Sequence, residues 1–447
     1  MKRFFQTIQN IFKIEELRKR IVYTVLLLLV YRLGSFIVLP GIDPTQLAAL
    51  EEQASSGLLS LLDMFSGGAF GNASIFALGI MPYISASIVL QLLALAVPYF
   101  QKLQREGESG RRKINQYTRY LTLAILVPQS MAYLANLESQ LAGTGAIQVE
   151  TGVVFYATST IILAAGSMFI LWLGERITDK GLGNGVSLII LVGIIARLPE
   201  AFIQEFTSRM ASPGAGGLVM FLIEIIALMA IICGAIMLVQ GVRKVPVQYA
   251  KQIVSGKQYG GARQYIPLKV NAANVMPIIF AQAIMFIPLT FINYASLESS
   301  PEWVRLLIDM NSWLYNLVFA ILIIAFTIFY TAITVNPTQM AEDIKRNNGF
   351  IPGVKPGKAT ADYLDVIMSR ITWPGALFLA VVAILPSFAS MFGVKAEFAQ
   401  FFGGTSLIIL VGVVLDTLQQ IESHLLMRHY DGLLSTGRIK GRSGAAY

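Results

Sequence analysis

The 447-residue chain is 55% hydrophobic and only 13% charged, about half the charged share of a soluble domain. That excludes an ordinary soluble protein and points to a polytopic membrane protein. The net charge of +8 matters less for its size than for its placement.

Residues 1–20 carry Phe4, Phe5, Ile8, Ile11, Phe12 and Leu17 on one helical face, with six Lys and Arg around it. This is an amphipathic surface helix leading into a span, not the short basic region of a cleavable signal peptide. Hydropathy then predicts ten spans, at 21–39, 73–97, 117–137, 153–173, 186–204, 218–240, 274–293, 312–333, 371–390 and 404–424. Arg197, Pro199 and Glu200 interrupt the end of the fifth. Before the second span, Gly57 to Phe65 forms a short apolar segment closed by Ser66-Gly67-Gly68. About nine residues make a helix of roughly 13 Å, too short for a hydrocarbon core of about 30 Å. The segment therefore reads as re-entrant, and irregular backbone at that depth has to line a cavity or lie buried in protein. A basic loop, Lys102 to Arg119, follows the second span.

Orientation follows from Lys and Arg. With the N-terminus inside, the inner segments hold 29 of the 34 basic residues and the outer segments hold Arg197, Arg209, Arg305 and Lys395. Both termini are therefore expected in the cytoplasm. Ten spans divide into two pseudo-symmetric inverted halves of five, 1–205 and 206–430, with a tail at 431–447. The fold class is an all-α polytopic membrane protein with a short re-entrant helix and long cytoplasmic loops.

Two inner loops exceed ordinary connection lengths. In 242–270, VPVQYAKQIV and RQYIPLKV flank Ser255-Gly256 and Gly260-Gly261, which predicts a β-hairpin. In 334–370, AEDIKRNNG predicts a short helix, and IPGVKPG a rigid exposed tip bearing Lys355 and Lys358. With the loop 102–119 they make a basic platform of Arg105, Arg111, Arg112, Arg243, Lys244, Lys251, Lys257, Arg263, Lys345, Arg346, Lys355 and Lys358. Basic loops also serve as plain topology determinants. Within spans, Gln91, Gln129 and Gln282 are uncharged polar residues. They either tune contacts between spans or act as static hydrogen-bonded glue. Arg32, Glu224 and Asp416 are the ionisable residues inside spans, with structural pairing or a transport role open to each.

The single Cys233 precludes an intrachain disulfide. His424 and His429 both lie near the C-terminus, so no histidine-based metal or catalytic cluster exists elsewhere. GLGNGVS at 181–187 lacks the Lys-Ser or Lys-Thr of a phosphate loop and follows no strand. No cofactor, metal or catalytic residue is expected, and any energy source has to be a partner.

EGESGRRKINQYTRY at 106–120 and GIMPYISASI at 79–88 resemble the SecY family. So do GLGNGVSLII at 181–190, IPLKVNAANVMPIIFA at 266–281, IPGVKPG at 351–357 and FGGTSLIILVGVVLD at 402–416. They are long and occur in family order along the whole chain. The resemblance implies the central subunit of a protein translocation channel in the bacterial plasma (inner) membrane. Such a channel passes unfolded polypeptides and releases transmembrane segments sideways into lipid.

It further implies a hinge near 200–217 and a lateral gate between the second and seventh spans; Gln91, Gln129 and Gln282, on the second, third and seventh spans, would tune its opening where those spans meet. The plug would be Leu58, Leu59, Leu61, Leu62, Met64 and Phe65. The pore ring would be Ile80, Ile84, Val186, Ile190, Ile279 and Ile409. Depth counting puts Val186 and Ile279 near inner ends and Ile409 near an outer end, so the ring demands tilted or extended helices. Ordinary apolar packing would use the same residue types. The implied partners are SecE, SecG, the SecA ATPase, translating ribosomes, signal sequences, nascent polypeptides and membrane lipid.

Two other classes fit less well. A secondary transporter calls for midplane ionisable residues on broken helices, and the span interiors are charge-poor. An intramembrane protease needs Ser-His or paired Asp within spans, and Asp416 has no second aspartate.

Overall fold

The structure is a computed structural model. It describes residues 14–47, 63–141, 146–149, 152–211, 217–249, 252–254, 257–259, 263–273, 275–282, 284–285, 306–307, 309 and 311–435. Contacts divide the chain into two compact units, Met1–Pro199 with Val413–Tyr447, and Glu200–Gly412.

The first unit opens with α1 (Glu15–Gly34), braced at its start by Glu15–Lys19 and Glu16–Arg20 pairs one turn apart. The expected amphipathic segment lies largely outside the described residues, and α1 runs without a break into the first span. The second span departs from its prediction. Residues 67–80 are turns, and helix α2 (Met81–Ala96) begins only at Met81, with Pro82 in its first turn. Hydropathy missed this because turns buried in protein are as apolar as a helix. Val97 takes the extended conformation that a following proline imposes. The chain then turns sharply into α3 (Pro98–Arg105). The basic loop is therefore mostly helical: α4 (Glu108–Leu141) carries its second half and continues into the third span. α5 (Val153–Lys180) follows.

α6 (Gly185–Ala211) corrects a second expectation, since it passes through Arg197, Pro199 and Glu200 without a break. Its start is fixed by the GLGNGVS turn. Asn184 Oδ1 accepts from the Val186 and Ser187 amides at 3.1 and 3.4 Å, capping the helix. A Cβ on Gly185 would sit 2.0 Å from Gly174 O, so only glycine lets α5 and α6 approach here. The core of this unit packs Leu39, Phe70, Tyr133, Leu137, Phe155 and Leu163 between α4, α5 and the turn region. An exposed Arg119–Glu175 pair, two contacts at 2.6 Å, ties α4 to α5.

The second unit contains α7 (Gly217–Gln240), α8 (Trp313–Thr334), α9 (Pro337–Arg346), α10 (Lys358–Met391) and the short α11 (Ala396–Ala399). It ends within α12 (Gly404–Ser435), which continues into the first unit. Of the seventh span, 276–282 and 284–285 are helical and 286–293 lie outside the described residues. Among the described residues, seven helices are long and apolar enough to cross a membrane, or eight if α2 and α3 count as one broken span. The protein is thus a multi-pass helical membrane protein.

The two long loops of the second unit form one body. β1 (Val242–Tyr249) pairs antiparallel with β4 (Arg263–Lys269), and β2 (Gln252–Val254) with β3 (Lys257–Tyr259), as the hairpin pattern predicts. Sequence gave no sign of β5 (Gly349–Phe350), which adds to the other edge of β1 through Gln248 and Tyr249. Val245, Val247, Leu268, Ile344, Ile351 and Leu364 close a small core beneath this sheet. The predicted short helix is α9, capped by Asn336 Oδ1, which accepts from the Thr338 amide at 3.1 Å.

Candidate functional site

Residues 63–71, at the end of the re-entrant segment, are held by polar contacts from several helices. Sequence reading treated 57–65 as apolar, yet it contains Asp63, which is buried. Asp63 Oδ1 accepts from the Gly71 amide at 2.7 Å. Its Oδ2 pairs with Arg197 Nη2 of α6, both side chains being largely buried. Tyr31 OH of α1 donates to Ser66 O at 3.0 Å, and Arg32 donates to Gly67 O. Tyr133 OH of α4 donates to Phe70 O at 3.0 Å. Three helices therefore grip residues 63–71.

The turn is built for this. Gly67 and Gly68 have φ of +67° and +88°, a region that L side chains avoid. Gly193 of α6 lies directly against it. A Cβ there would come within 3.0 Å of Phe65 O and 3.2 Å of Gly67 N. Val186, Ile190, Gly193 and Arg197 are spaced four, three and four residues apart, so they form one stripe along α6. Two candidate ring residues thus share a face with the residues that seat the turn.

Of the plug candidates, Met64 and Phe65 are buried against this seat, and Leu58, Leu59, Leu61 and Leu62 lie outside the described residues. Of the ring candidates, Ile80, Ile190 and Ile409 are buried, and Ile84, Val186 and Ile279 half-buried. Ile80 is the residue that caps α2, and the Ile84 amide donates to its carbonyl at 3.1 Å, one turn on. Four of the six belong to the first unit, and Ile279 and Ile409 to the second. Gln91 donates to Ser87 Oγ of its own helix at 3.3 Å. Gln129 is half-buried. Gln282 is buried, and among the described residues its Nε2 has no hydrogen-bond partner.

The ionisable span residues resolve into separate roles. Arg32 holds Gly67. Glu224 accepts from Arg209 Nη2 at 2.5 Å in the second unit. Arg209 Nε also donates to Glu205 at 2.8 Å, and its Nη2 to Gly393 O at 2.9 Å. Arg197 and Arg209 count as outer-side residues by position, and nothing in the local sequence signals their partners. Asp416 lines a polar cavity of about 420 Å³ with Asn184, Ser187, Thr417, Gln420 and Ser423. The Gly183 amide donates to Gln420 at 2.9 Å beside it. GLGNGVS is thus a helix-capping turn of the first unit.

On and around the three-stranded sheet of the second unit, Arg243, Lys244, Lys345, Arg346, Lys355 and Lys358 are all exposed. Arg111 and Arg112 are exposed in the first unit, where Arg112 pairs with Glu108 at 2.7 Å. The Arg105, Lys257 and Arg263 side chains and all of Lys251 lie outside the described set.

A family model described as SecY matches residues 74–418. The chain is 43% identical over 435 residues to the protein translocase subunit SecY of Halalkalibacterium halodurans, covering 96% of this chain and all of that one. Two solved structures are similar in fold. One is a SecY protein whose plug domain stabilises the closed channel and maintains a membrane seal, with TM-score 0.61 and 16% identity over 90% of this chain and 91% of that one. The other is canine Sec61 in a ribosome–channel complex from the endoplasmic reticulum, with TM-score 0.60, 15% identity and the same coverage.

Proposed function

The chain belongs to the SecY family and is the central subunit of a protein translocation channel, and from that premise we propose how its parts divide the work. Residues 57–68 act as the plug. Ile80, Ile84, Val186, Ile190, Ile279 and Ile409 act as an apolar constriction that seals by dewetting when idle. Gln91, Gln129 and Gln282 belong to a gate between the second and seventh spans, through which apolar segments leave for lipid. The protein sits in the bacterial plasma membrane with both termini in the cytoplasm, as two halves of five spans.

One observation carries this reading: the stripe Val186–Ile190–Gly193–Arg197 sets two ring residues on the same helix face that seats the plug's base. A pore for many sequences requires an interior without a fixed charged site. The span charges support that, because Arg32 and Glu224 are spent on structural contacts. SecE and SecG join as subunits. SecA and translating ribosomes dock on the basic cytoplasmic sheet, where phosphate and acidic protein surfaces are both attracted.

Reconstitution tests the reading. A presecretory polypeptide is expected to cross proteoliposomes holding the purified complex with its motor, and a small solute is not. Deleting 58–65 is expected to leave insertion intact and to raise resting ion conductance. Unchanged conductance would count against the plug.

A further inference from the structure

Asp63, Arg197 and Arg32 do more than fill a buried site. We infer that they are positioning residues for the seal: a polar latch that sets how firmly the plug is held shut. The inference rests on residues 57–68 being the plug.

Three features of the geometry point to a latch. First, the contacts converge on the plug's base. Arg197 reaches Asp63 from α6, Arg32 reaches Gly67 O from α1, and Tyr31 reaches Ser66 O from α1. Second, Asp63 organises the base internally. Its backbone carbonyl accepts from the Gly68 amide at 2.9 Å and from Ser66 Oγ at 3.0 Å, while its side chain accepts from Gly71. One carboxylate therefore links the fold of the turn to its attachment. Third, the fit leaves no slack. A Cβ on Gly67 would lie 2.9 Å from Gly193 Cα, and one on Gly68 about 3.1 Å from the Arg197 guanidinium. A plug displaced by any substantial distance cannot keep the Asp63–Arg197 pair.

Energetics decide which state this pair favours. Buried partners that lose each other leave uncompensated charges in a poorly solvated place. With the plug seated, each charge has its partner within hydrogen-bond reach. With the plug displaced, each survives only if water replaces the partner. The latch therefore biases the channel shut until a wetted pore offers that water. This gives the idle channel a threshold that an arriving signal sequence has to overcome, so the same residues set how selective the channel is for its substrates.

The test uses the full translocase in planar bilayers and proteoliposomes. Asp63→Asn and Arg197→Gln each remove one charge and keep a hydrogen-bonding group. Each is expected to raise resting ion conductance at least tenfold and to admit a substrate with a weakened signal sequence. The double variant is expected to leak far less than the product of the two singles, because the pair acts as a unit. Arg197→Lys keeps the charge with fewer donors and is expected to leak at an intermediate level. If the neutral variants do not assemble, Arg197→Lys decides, and a tight Lys variant overturns the latch. Assembled neutral variants that stay tight overturn it as well. Deleting 58–62 leaves the latch residues in place and separates the two readings. A tight deletion refutes the plug, while a leaky deletion beside a tight Asp63→Asn refutes only the latch.

Discussion

Arg209 is the residue whose loss should damage the second unit most. Its side chain is 12% exposed, that of Glu205 fully buried and that of Glu224 7% exposed. It holds both carboxylates and the Gly393 carbonyl, and the Lys395 amide donates to Glu205 Oε2 at 2.8 Å. The cluster therefore joins α6, α7 and the 393–395 turn. Arg209→Met leaves two carboxylates buried with no counter-charge. Breaking a buried pair this way costs about 3–5 kcal/mol. For a unit of this size each kcal/mol lowers the melting point by about 2–4 °C, so a drop on the order of 10 °C is expected. The assay is thermal unfolding of the purified protein in detergent, followed by tryptophan fluorescence. Trp313 and Trp373 are exposed reporters within the same unit. Neutralising all three, as Arg209→Met with Glu205→Gln and Glu224→Gln, is expected to recover most of the loss, since the cost comes from unpaired charge. A single variant melting within about 2 °C of the parent would refute this reasoning.

Three further outcomes are expected. Lys355→Glu at the exposed tip should cut translocation strongly while Lys355→Arg is tolerated, read as precursor protected from protease inside proteoliposomes; normal export by the Glu variant refutes a charge contact there. Ile409→Asn buries an amide at a position only 2% exposed, a cost of about 1–3 kcal/mol; if it falls on the closed state, the variant assembles, leaks ions and accepts weak signal sequences, whereas a misfolded or tight variant removes Ile409 from the ring. Leu364→Ala opens a cavity in the core under the three-stranded sheet and should cost about 2–5 kcal/mol, read as faster proteolysis of 242–270 with the spans left intact.

Hydropathy made most of the spans legible because a lipid-facing helix and an apolar run are the same thing in sequence. It failed where burial in protein replaces lipid. Residues 73–80 read as span, but they are turns that pair with the stretch after α1: the Leu39 amide donates to Ala73 O and the Ile75 amide to Ile37 O, both at 2.9 Å. The end of α6 read as interrupted because Arg197 looked like a charge in need of water. Its partner Asp63 lies 134 residues away, and that separation hides the pair from any local pattern. Arg209 was hidden in the same way by Glu224 and Gly393. The ring and plug roles came from family motifs, while the shortness of 57–65 marked it as re-entrant without them. β5 spans two residues, too short for any period to register.

That two-residue strand has a mechanical consequence. β1 leaves α7 after a single residue, Gly241, and the tip 351–357 leads straight into α10. Stitched together by β5, these two connections behave as one stiff bracket standing on two membrane helices. A push on the tip is not absorbed by a slack tether, because there is no slack chain between it and the sheet. The push arrives as torque on the feet of α7 and α10 together. A docking partner therefore holds a handle on the membrane-embedded part of this unit rather than a loose strap.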